Sequence, residues 1–194
     1  MAALQACITN RLDSETIGDR RIAGVIGAAP SRYSKSPALW NAAFALLDMN
    51  AVYLPFDIER SKLKALSAVL RATESIMGIN VTVPHKVAII DHLDELDPDA
   101  TRIHAVNTLV RTHDGRLIGY NTDGEGFVDS ILKPQPGNVE SFVSSLSGAD
   151  VLLLGAGGSA RAVAFHLGEL LGNGKLVICN RTIDHARALA NDVR

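Results

Sequence analysis

Cysteine is scarce in this chain of 194 residues, with only Cys7 and Cys179 present. The two stand far apart and match no CxxC or ligand spacing, which argues against a disulfide framework or zinc site and fits a reducing compartment. An excess of charge is also missing: 19 Lys and Arg stand against 21 Asp and Glu, for a net charge of −2. Nothing in that balance advertises a nucleic-acid or acidic-membrane partner. No apolar run approaches the roughly 20 residues of a membrane helix. The N-terminal MAALQACITNRLDSET has no basic region ahead of its short apolar stretch, so a leader is not expected. These absences point to a soluble, cytoplasmic protein with a small ligand. What is present is ordinary for a globular chain: 47% hydrophobic residues, 16 glycines and 7 prolines. That length allows one generous domain or two small ones with a sizeable core.

From residue 21 onward, apolar runs alternate with helical periodicity, the βαβ pattern of a mostly parallel sheet. Arg21–Gly27 reads as a buried strand, and Ala38–Met49 as a helix opened by Pro37, a residue suited to the first turn. Val52–Ile58 is a strand and Ser61–Arg71 a helix, with Leu63, Leu66 and Leu70 on one face. Ile76–Val83 is a further strand, and Lys86–Leu96 reads as helical. His113-Asp114-Gly115, between the apolar runs Asn107–Thr112 and Arg116–Tyr120, predicts a hairpin at an antiparallel edge. Gly124–Leu132 is a helix, and Lys133-Pro-Gln-Pro-Gly137 suits a linker near a domain boundary. Val151–Leu154, Ser159–Leu171 and Leu176–Cys179 complete a strand, helix and strand. No internal repeat or low-complexity segment is present.

The turn Gly155-Ala156-Gly157-Gly158-Ser159-Ala160 follows a strand and opens a helix, matching the dinucleotide fingerprint G-x-G-x-x-A. Gly155 allows the tight turn and Gly157 the approach of a pyrophosphate. The small Ala160 permits close helix–sheet packing, and the helix N-terminus supplies amide hydrogens and partial positive charge. A plain strand-to-helix turn is the alternative. After the second strand, NAD binders usually carry an acid for the ribose 2′-hydroxyl and NADP binders an arginine for its phosphate. Here the sequence is Asn180-Arg181-Thr182, with no carboxylate before Asp184. That favours NADP; a solvated arginine is the alternative.

Polar residues gather in four further segments: Ser34-Lys-Ser36-Pro37, Asn80-Val-Thr82-Val-Pro-His-Lys86, Ala105-Val-Asn107-Thr108 and Gly119-Tyr-Asn-Thr-Asp123-Gly-Glu-Gly126. In this order, followed by GAGGSARA and NRT, they resemble the shikimate dehydrogenase family over nearly the whole chain. The resemblance implies an NADP-dependent interconversion of 3-dehydroshikimate and shikimate, on the route to chorismate and the aromatic amino acids. It also implies an α/β fold, with a mostly parallel substrate domain facing a Rossmann-like domain across a cleft. The expected division is 1–123 for substrate, 124–149 for helix and linker, and 150–194 for the nucleotide.

Carried onto this sequence, the family's catalytic pair falls on Lys86 and Asp123. Hydride transfer to a ketone leaves an alkoxide that must be protonated, and a positioned ammonium suits that need; which of the two is the formal base stays open. Ser34 and Ser36 match the serines that hold the substrate carboxylate, although Ser36 before Pro37 suits helix capping equally well. Asn80, Thr82 and Asn107 match positions that bond substrate hydroxyls, while Asn80 also suits a backbone contact. N-capping is the competing role for Asp123. His85 reads as exposed packing or a rim residue, and Trp40 as core or rim. No metal is expected.

Two departures accompany the resemblance. Where NADP-specific members often carry a second basic residue, this chain has His185, with Arg187 beyond it. Family members also continue for several tens of residues past Arg194, so the Rossmann-like domain is expected to be C-terminally truncated, with room for little more than βαβα. A quinate/shikimate dehydrogenase using NAD, or a fragment that binds ligand without turnover, are the alternative expectations. A monomer or homodimer is expected.

Overall fold

The computed structural model describes residues 2–194, and the chain divides into two compact units, Met1–Tyr120 and Asn121–Arg194. The first unit opens with the short helices α1 (Ala2–Gln5) and α2 (Ser14–Ile17), followed by β1 (Arg21–Gly27). Next come α3 (Pro30–Tyr33), α4 (Ser36–Leu46), β2 (Ala51–Asp57), α5 (Leu63–Ala72) and β3 (Ile76–Val81). It closes with β4 (Glu95–Leu96), α6 (Pro98–Ile103), β5 (Thr108–Arg111) and β6 (Leu117–Tyr120).

The strands form one sheet in the order β2-β1-β3-β5-β6-β4. β1 pairs in parallel with β2 and β3, whereas β5 runs antiparallel to both β3 and β6. The predicted hairpin is therefore present, with Gly115 at a φ of 86° in its turn, a value that glycine adopts without a Cβ penalty. It is not at the edge, because β4 adds a further strand in parallel to β6.

Alternation of side chains across the strands sends two sets to opposite faces. Ile22, Ile26, Val52, Phe56, Ile79 and Leu109 pack with Leu63, Leu66 and Leu70 of α5 in the main core. The α5 leucines are each exposed by 1% or less, so each contributes about 2 kcal/mol of burial. Val25, Ala51 and Tyr53 point the other way, against Phe44 of α4. Gly24 sits where a Cβ would come within 2.5 Å of the Leu54 carbonyl oxygen and press on the Phe56 ring, which holds β1 and β2 in close register. Pro55, which has no N–H to donate, is tolerated because β2 is an edge strand. Asn10 covers that edge, donating to the Pro55 carbonyl at 3.0 Å and accepting from the Asp57 N–H at 2.8 Å.

The segment Lys86–Leu96 departs from the helix its sequence predicts: a single 3₁₀ turn, Ile90–His92, and the short strand β4 form there instead. The carbonyl of Lys86 accepts from the Val106 N–H at 2.7 Å, and the Asp94 N–H donates to Leu117 at 3.0 Å. These tertiary bonds draw both ends of the segment onto the sheet and replace the i to i−4 ladder that periodicity alone would favour.

The second unit holds α7 (Asp123–Leu132), β7 (Asp150–Leu154), α8 (Gly158–Leu170), β8 (Lys175–Cys179) and α9 (Ile183–Val193). The Lys133–Gly137 stretch lies inside this unit rather than at the division, which falls at Tyr120. β7 and β8 pair in parallel, with Leu153 opposite Ile178. α8 packs on α7 at Gly124, where a Cβ would meet the Ala162 carbonyl oxygen at 2.5 Å and collide with the His166 ring. Leu146, Leu167 and Leu171 form the local core.

Candidate active site

Parallel strands β2, β1 and β3 all end at one edge of the sheet. Because β5 is antiparallel to β3, with Asn80 opposite Thr108, its first residue lies at that same edge. Loops at the carboxyl ends of parallel strands are where α/β sheets place their ligands. The topology thus gathers Ser34, Ser36, Asn80, Thr82, Lys86 and Asn107, which are far apart in sequence, along one edge of the first unit.

The serines are set by the turn after β1. Asp57, at the end of β2, accepts from the Ser31 N–H at 2.8 Å and from its hydroxyl at 2.5 Å, which fixes α3. Ser34 follows α3, and its Oγ accepts from the Ser36 N–H at 3.2 Å. Ser36 thus does not cap α4, whose N-cap is Lys35, and the Ser34 hydroxyl proton is not consumed by its bond to Ser36. Ser36 is the first residue of α4.

After β3 the chain turns sharply. The Thr82 N–H donates to Ile26 at 2.9 Å, and its carbonyl accepts from the His85 N–H at 3.0 Å. A Cβ on Gly27 would come within 2.6 Å of the Thr82 methyl, so this glycine gives the turn its room. His85 is a correction: it is 1% exposed rather than a rim residue. Its Nε2 meets the Ile58 carbonyl at 2.9 Å, which ties the turn to the end of β2 and makes Nε2 the protonated nitrogen. Lys86 follows, half-buried, with its backbone carbonyl bonded to Val106.

Asn80 and Asn107 belong to one polar network. The Tyr53 hydroxyl donates to Asn80 Oδ1 at 2.6 Å, and Asn80 Nδ2 donates to Thr108 Oγ1 at 3.1 Å. Thr108 in turn donates to Asn107 Oδ1 at 2.9 Å. Asn80 also reaches the Asn107 backbone carbonyl at 3.5 Å, the kind of backbone contact its position suggested. Burial pushes the Tyr53 phenol up to about 12, an effect the Ser36 hydroxyl only partly offsets. Sequence reasoning missed Tyr53; a tyrosine in a strand flanked by apolar residues is a signal in itself, because a buried phenol needs a partner.

In the second unit, Asp123 is the first residue of α7 and not its cap. The Asn121 side chain accepts from the Asp123 N–H at 3.1 Å, and the Asp123 carboxylate accepts from the Ser159 hydroxyl at 3.1 Å. Close packing at Gly124 is what brings α7 near the glycine-rich turn. In that turn Gly155 has a φ of 114° and donates to the Cys179 carbonyl at 2.7 Å. Gly157 is extended, and a Cβ there would meet nothing within 4 Å. The turn thus leaves an open approach to backbone at the N-terminus of α8, where Gly158, Ser159 and Ala160 form the first turn. Ala156 lies between the two glycines. At the end of β8, Asn180 Nδ2 donates to the Thr182 carbonyl at 2.8 Å, while Arg181 is exposed. Open glycine backbone, helix amides and an exposed guanidinium one strand away fit a phosphorylated dinucleotide.

The chain is similar to known proteins along most of its length. Residues 25–109 match the shikimate dehydrogenase substrate binding domain, and residues 138–194 match the shikimate / quinate 5-dehydrogenase family. The chain belongs to the shikimate dehydrogenase family. A shikimate dehydrogenase (NADP(+)) of Symbiobacterium thermophilum is 44% identical over 180 residues, covering 93% of this chain and 57% of that protein. A crystal structure of a shikimate dehydrogenase in complex with NADP+ has a TM-score of 0.77 at 38% identity, covering 95% of this chain and 58% of that one. The Thermus thermophilus shikimate 5-dehydrogenase in complex with NADP(H) and shikimate has a TM-score of 0.72 at 38% identity, over 89% of this chain and 60% of that one. The chain thus spans a little over half the length of these shikimate dehydrogenases. Among the described residues, no helix is long and apolar enough to cross a membrane.

Proposed function

We propose that this chain carries out NADP-dependent, reversible reduction of 3-dehydroshikimate to shikimate, the first unit taking the substrate and the second the nucleotide. The observation that carries this reading is the edge described above. Two hydroxyls suited to a carboxylate, the Thr82 and Asn107 side chains suited to ring hydroxyls, and one lysine all stand along one edge of the sheet. Shikimate is a small carboxylate with three hydroxyls, and that set of donors and acceptors suits it. The relatives' names and bound ligands support the same assignment.

In this reading Ser34 and Ser36 hold the carboxylate, Thr82 and Asn107 bond hydroxyls, and Asn80 supports them from behind. Gly155 through Ala160 take the pyrophosphate, with Asn180, Arg181 and Thr182 around the ribose phosphate. When bound, NADPH supplies the hydride to the C3 carbonyl carbon. Lys86 then gives its ammonium proton to the resulting alkoxide oxygen, and takes a proton from the hydroxyl in the reverse direction. Asp123 is the second member of the acid–base pair, and Ser159 fixes one of its oxygens. His85, held to Ile58, keeps the turn that presents Lys86 rigid. Two free thiols, Cys7 buried and Cys179 exposed, are compatible with a cytoplasmic setting.

The test is to add shikimate and NADP+ and follow NADPH absorbance, with quinate and NAD as competitors. Preference for shikimate and NADP by kcat/KM is the expected result; turnover of quinate with NAD alone refutes the assignment.

A further inference from the structure

Asp57 is a carboxylate at the end of the edge strand β2, yet it is only 6% exposed. A buried charge is tolerated where its oxygens are hydrogen-bonded, and here each is. Both accept from one residue, Ser31: Oδ1 from its N–H at 2.8 Å and Oδ2 from its hydroxyl at 2.5 Å. The backbone of Asp57 is held as well. Its N–H donates to Asn10 Oδ1 at 2.8 Å, and its carbonyl accepts from the Thr9 N–H at 2.8 Å. The next residue ties the strand end inward, since the Ile58 N–H donates to the Gly27 carbonyl at 2.8 Å. Asp57 is therefore a fixed anchor on the sheet, and what it anchors is α3.

We propose that Asp57 is a positioning residue for substrate, which through Ser31 and α3 sets the place of the Ser34 hydroxyl. The proposal rests on the reading above that Ser34 binds the shikimate carboxylate. With four residues, α3 is too short to hold its shape alone. Its N-cap, Ala29, makes no side-chain capping bond, so the Ser31 N–H is one of the orphan donors of a first turn. Asp57 satisfies that donor from a neighbouring strand, and charge-assisted bonds of this kind are the strong ones. Ser34 lies one turn further on. Its N–H donates to the Pro30 carbonyl at 2.9 Å, and its Oγ accepts from the Ser36 N–H at 3.2 Å. The line from sheet to ligand thus runs from Asp57 to Ser31, along one turn of helix, to Ser34. Asp57 is no ligand contact itself, because both its oxygens are occupied and an anion repels an anion.

The test is a calorimetric titration of the intact chain with shikimate. Wild type is compared with Asp57→Ala, Asp57→Asn, Ser31→Ala, Ser34→Ala and the double variant Ser31→Ala/Ser34→Ala. With the tether cut, α3 presents Ser34 correctly only part of the time, and apparent affinity falls by that fraction. Shikimate Kd should rise roughly three- to tenfold in Ser31→Ala, and at least as much in Asp57→Ala, which removes both bonds. Asp57→Asn keeps one oxygen for the Ser31 N–H and should lose less than Asp57→Ala. In the Ser34→Ala background, Ser31→Ala should raise Kd by less than about twofold, because the hydroxyl it places is gone. A merely structural role gives the same factor with and without Ser34. Should Asp57→Ala fail to fold, Ser31→Ala, at an exposed residue, carries the test. Unchanged Kd in Ser31→Ala, the full factor in the Ser34→Ala background, or an Asp57→Asn as weak as Asp57→Ala overturns the proposal and leaves the functional reading in place. Absence of shikimate binding to wild type overturns the functional reading, and the proposal with it.

Discussion

Replacing Tyr53 with phenylalanine gives a pH-dependent signature whose size follows from the structure. The phenol is 3% exposed, and burial raises its pKa from 10.0 to about 12. A group whose pKa is raised on folding contributes stability that is complete below its unfolded pKa and is lost as pH climbs through its folded one. The window therefore runs from about pH 10 to about pH 12. One pKa unit corresponds to about 1.36 kcal/mol, so wild type loses about 2.7 kcal/mol across the window and about half of that by roughly pH 11. Tyr53→Phe has no phenol to ionise and escapes this loss. At neutral pH, however, it leaves Asn80 Oδ1 without its donor, at a cost of about 1 to 2 kcal/mol. Urea unfolding at neutral pH should therefore show the variant less stable by that amount, and the gap should close at roughly pH 11. A gap of the same size at both pH values would refute the claim that the fold holds this phenol protonated.

Other consequences concern both units. Gly124→Ala forces a Cβ against the Ala162 carbonyl oxygen at 2.5 Å, and this overpacking should cost about 1 to 3 kcal/mol, read as a lower Tm, with α7 and Asp123 displaced. Arg181→Ala should weaken NADP+ about tenfold or more, since a charged hydrogen bond to phosphate is worth about 1.5 to 3 kcal/mol, while NAD+ is unaffected; equal losses in a titration would remove Arg181 from the phosphate site. The Arg71 guanidinium and the Leu117 amide hold the Asp94 carboxyl below its ordinary value. That contribution is present above the unfolded pKa of 3.8 and lost as pH falls through the folded one. Asp94→Asn should thus cost about 0.5 to 1 kcal/mol at neutral pH, the ion pair being partly solvated, and nothing in strong acid; a constant penalty in acid unfolding curves would contradict this.

Much of the fold was legible because local pattern and tertiary demand agreed. β1, α5, the hairpin of β5 and β6, and the strand, turn and helix around Gly155 each have a period or a turn residue that admits one reading. Lys86–Leu96 was not legible, since its apolar spacing is helical while the bonds that reshape it come from Val106 and Leu117, distant in sequence. The candidate site divides in the same way. Ser34, Lys86 and Asp123 stand out as polar residues in loops, and the family resemblance gives them roles. Tyr53 and His85 are buried among apolar neighbours, and their importance rests on partners, Asn80 and Ile58, that only the folded sheet brings near. The helix starts differ from the capping reading for a related reason: Ser34 and Asn121 each accept from the backbone N–H two residues on, that of Ser36 and of Asp123, which the sequence singled out as caps.

The central claim is that Lys86 moves the proton in an NADP-dependent interconversion of shikimate and 3-dehydroshikimate. Its most direct test is the initial rate of NADPH formation from shikimate and NADP+, for wild type and Lys86→Ala side by side. The account predicts measurable turnover in wild type and, in the variant, a kcat lower by about a hundredfold or more with KM changed far less. An ordinary kcat in Lys86→Ala would contradict it.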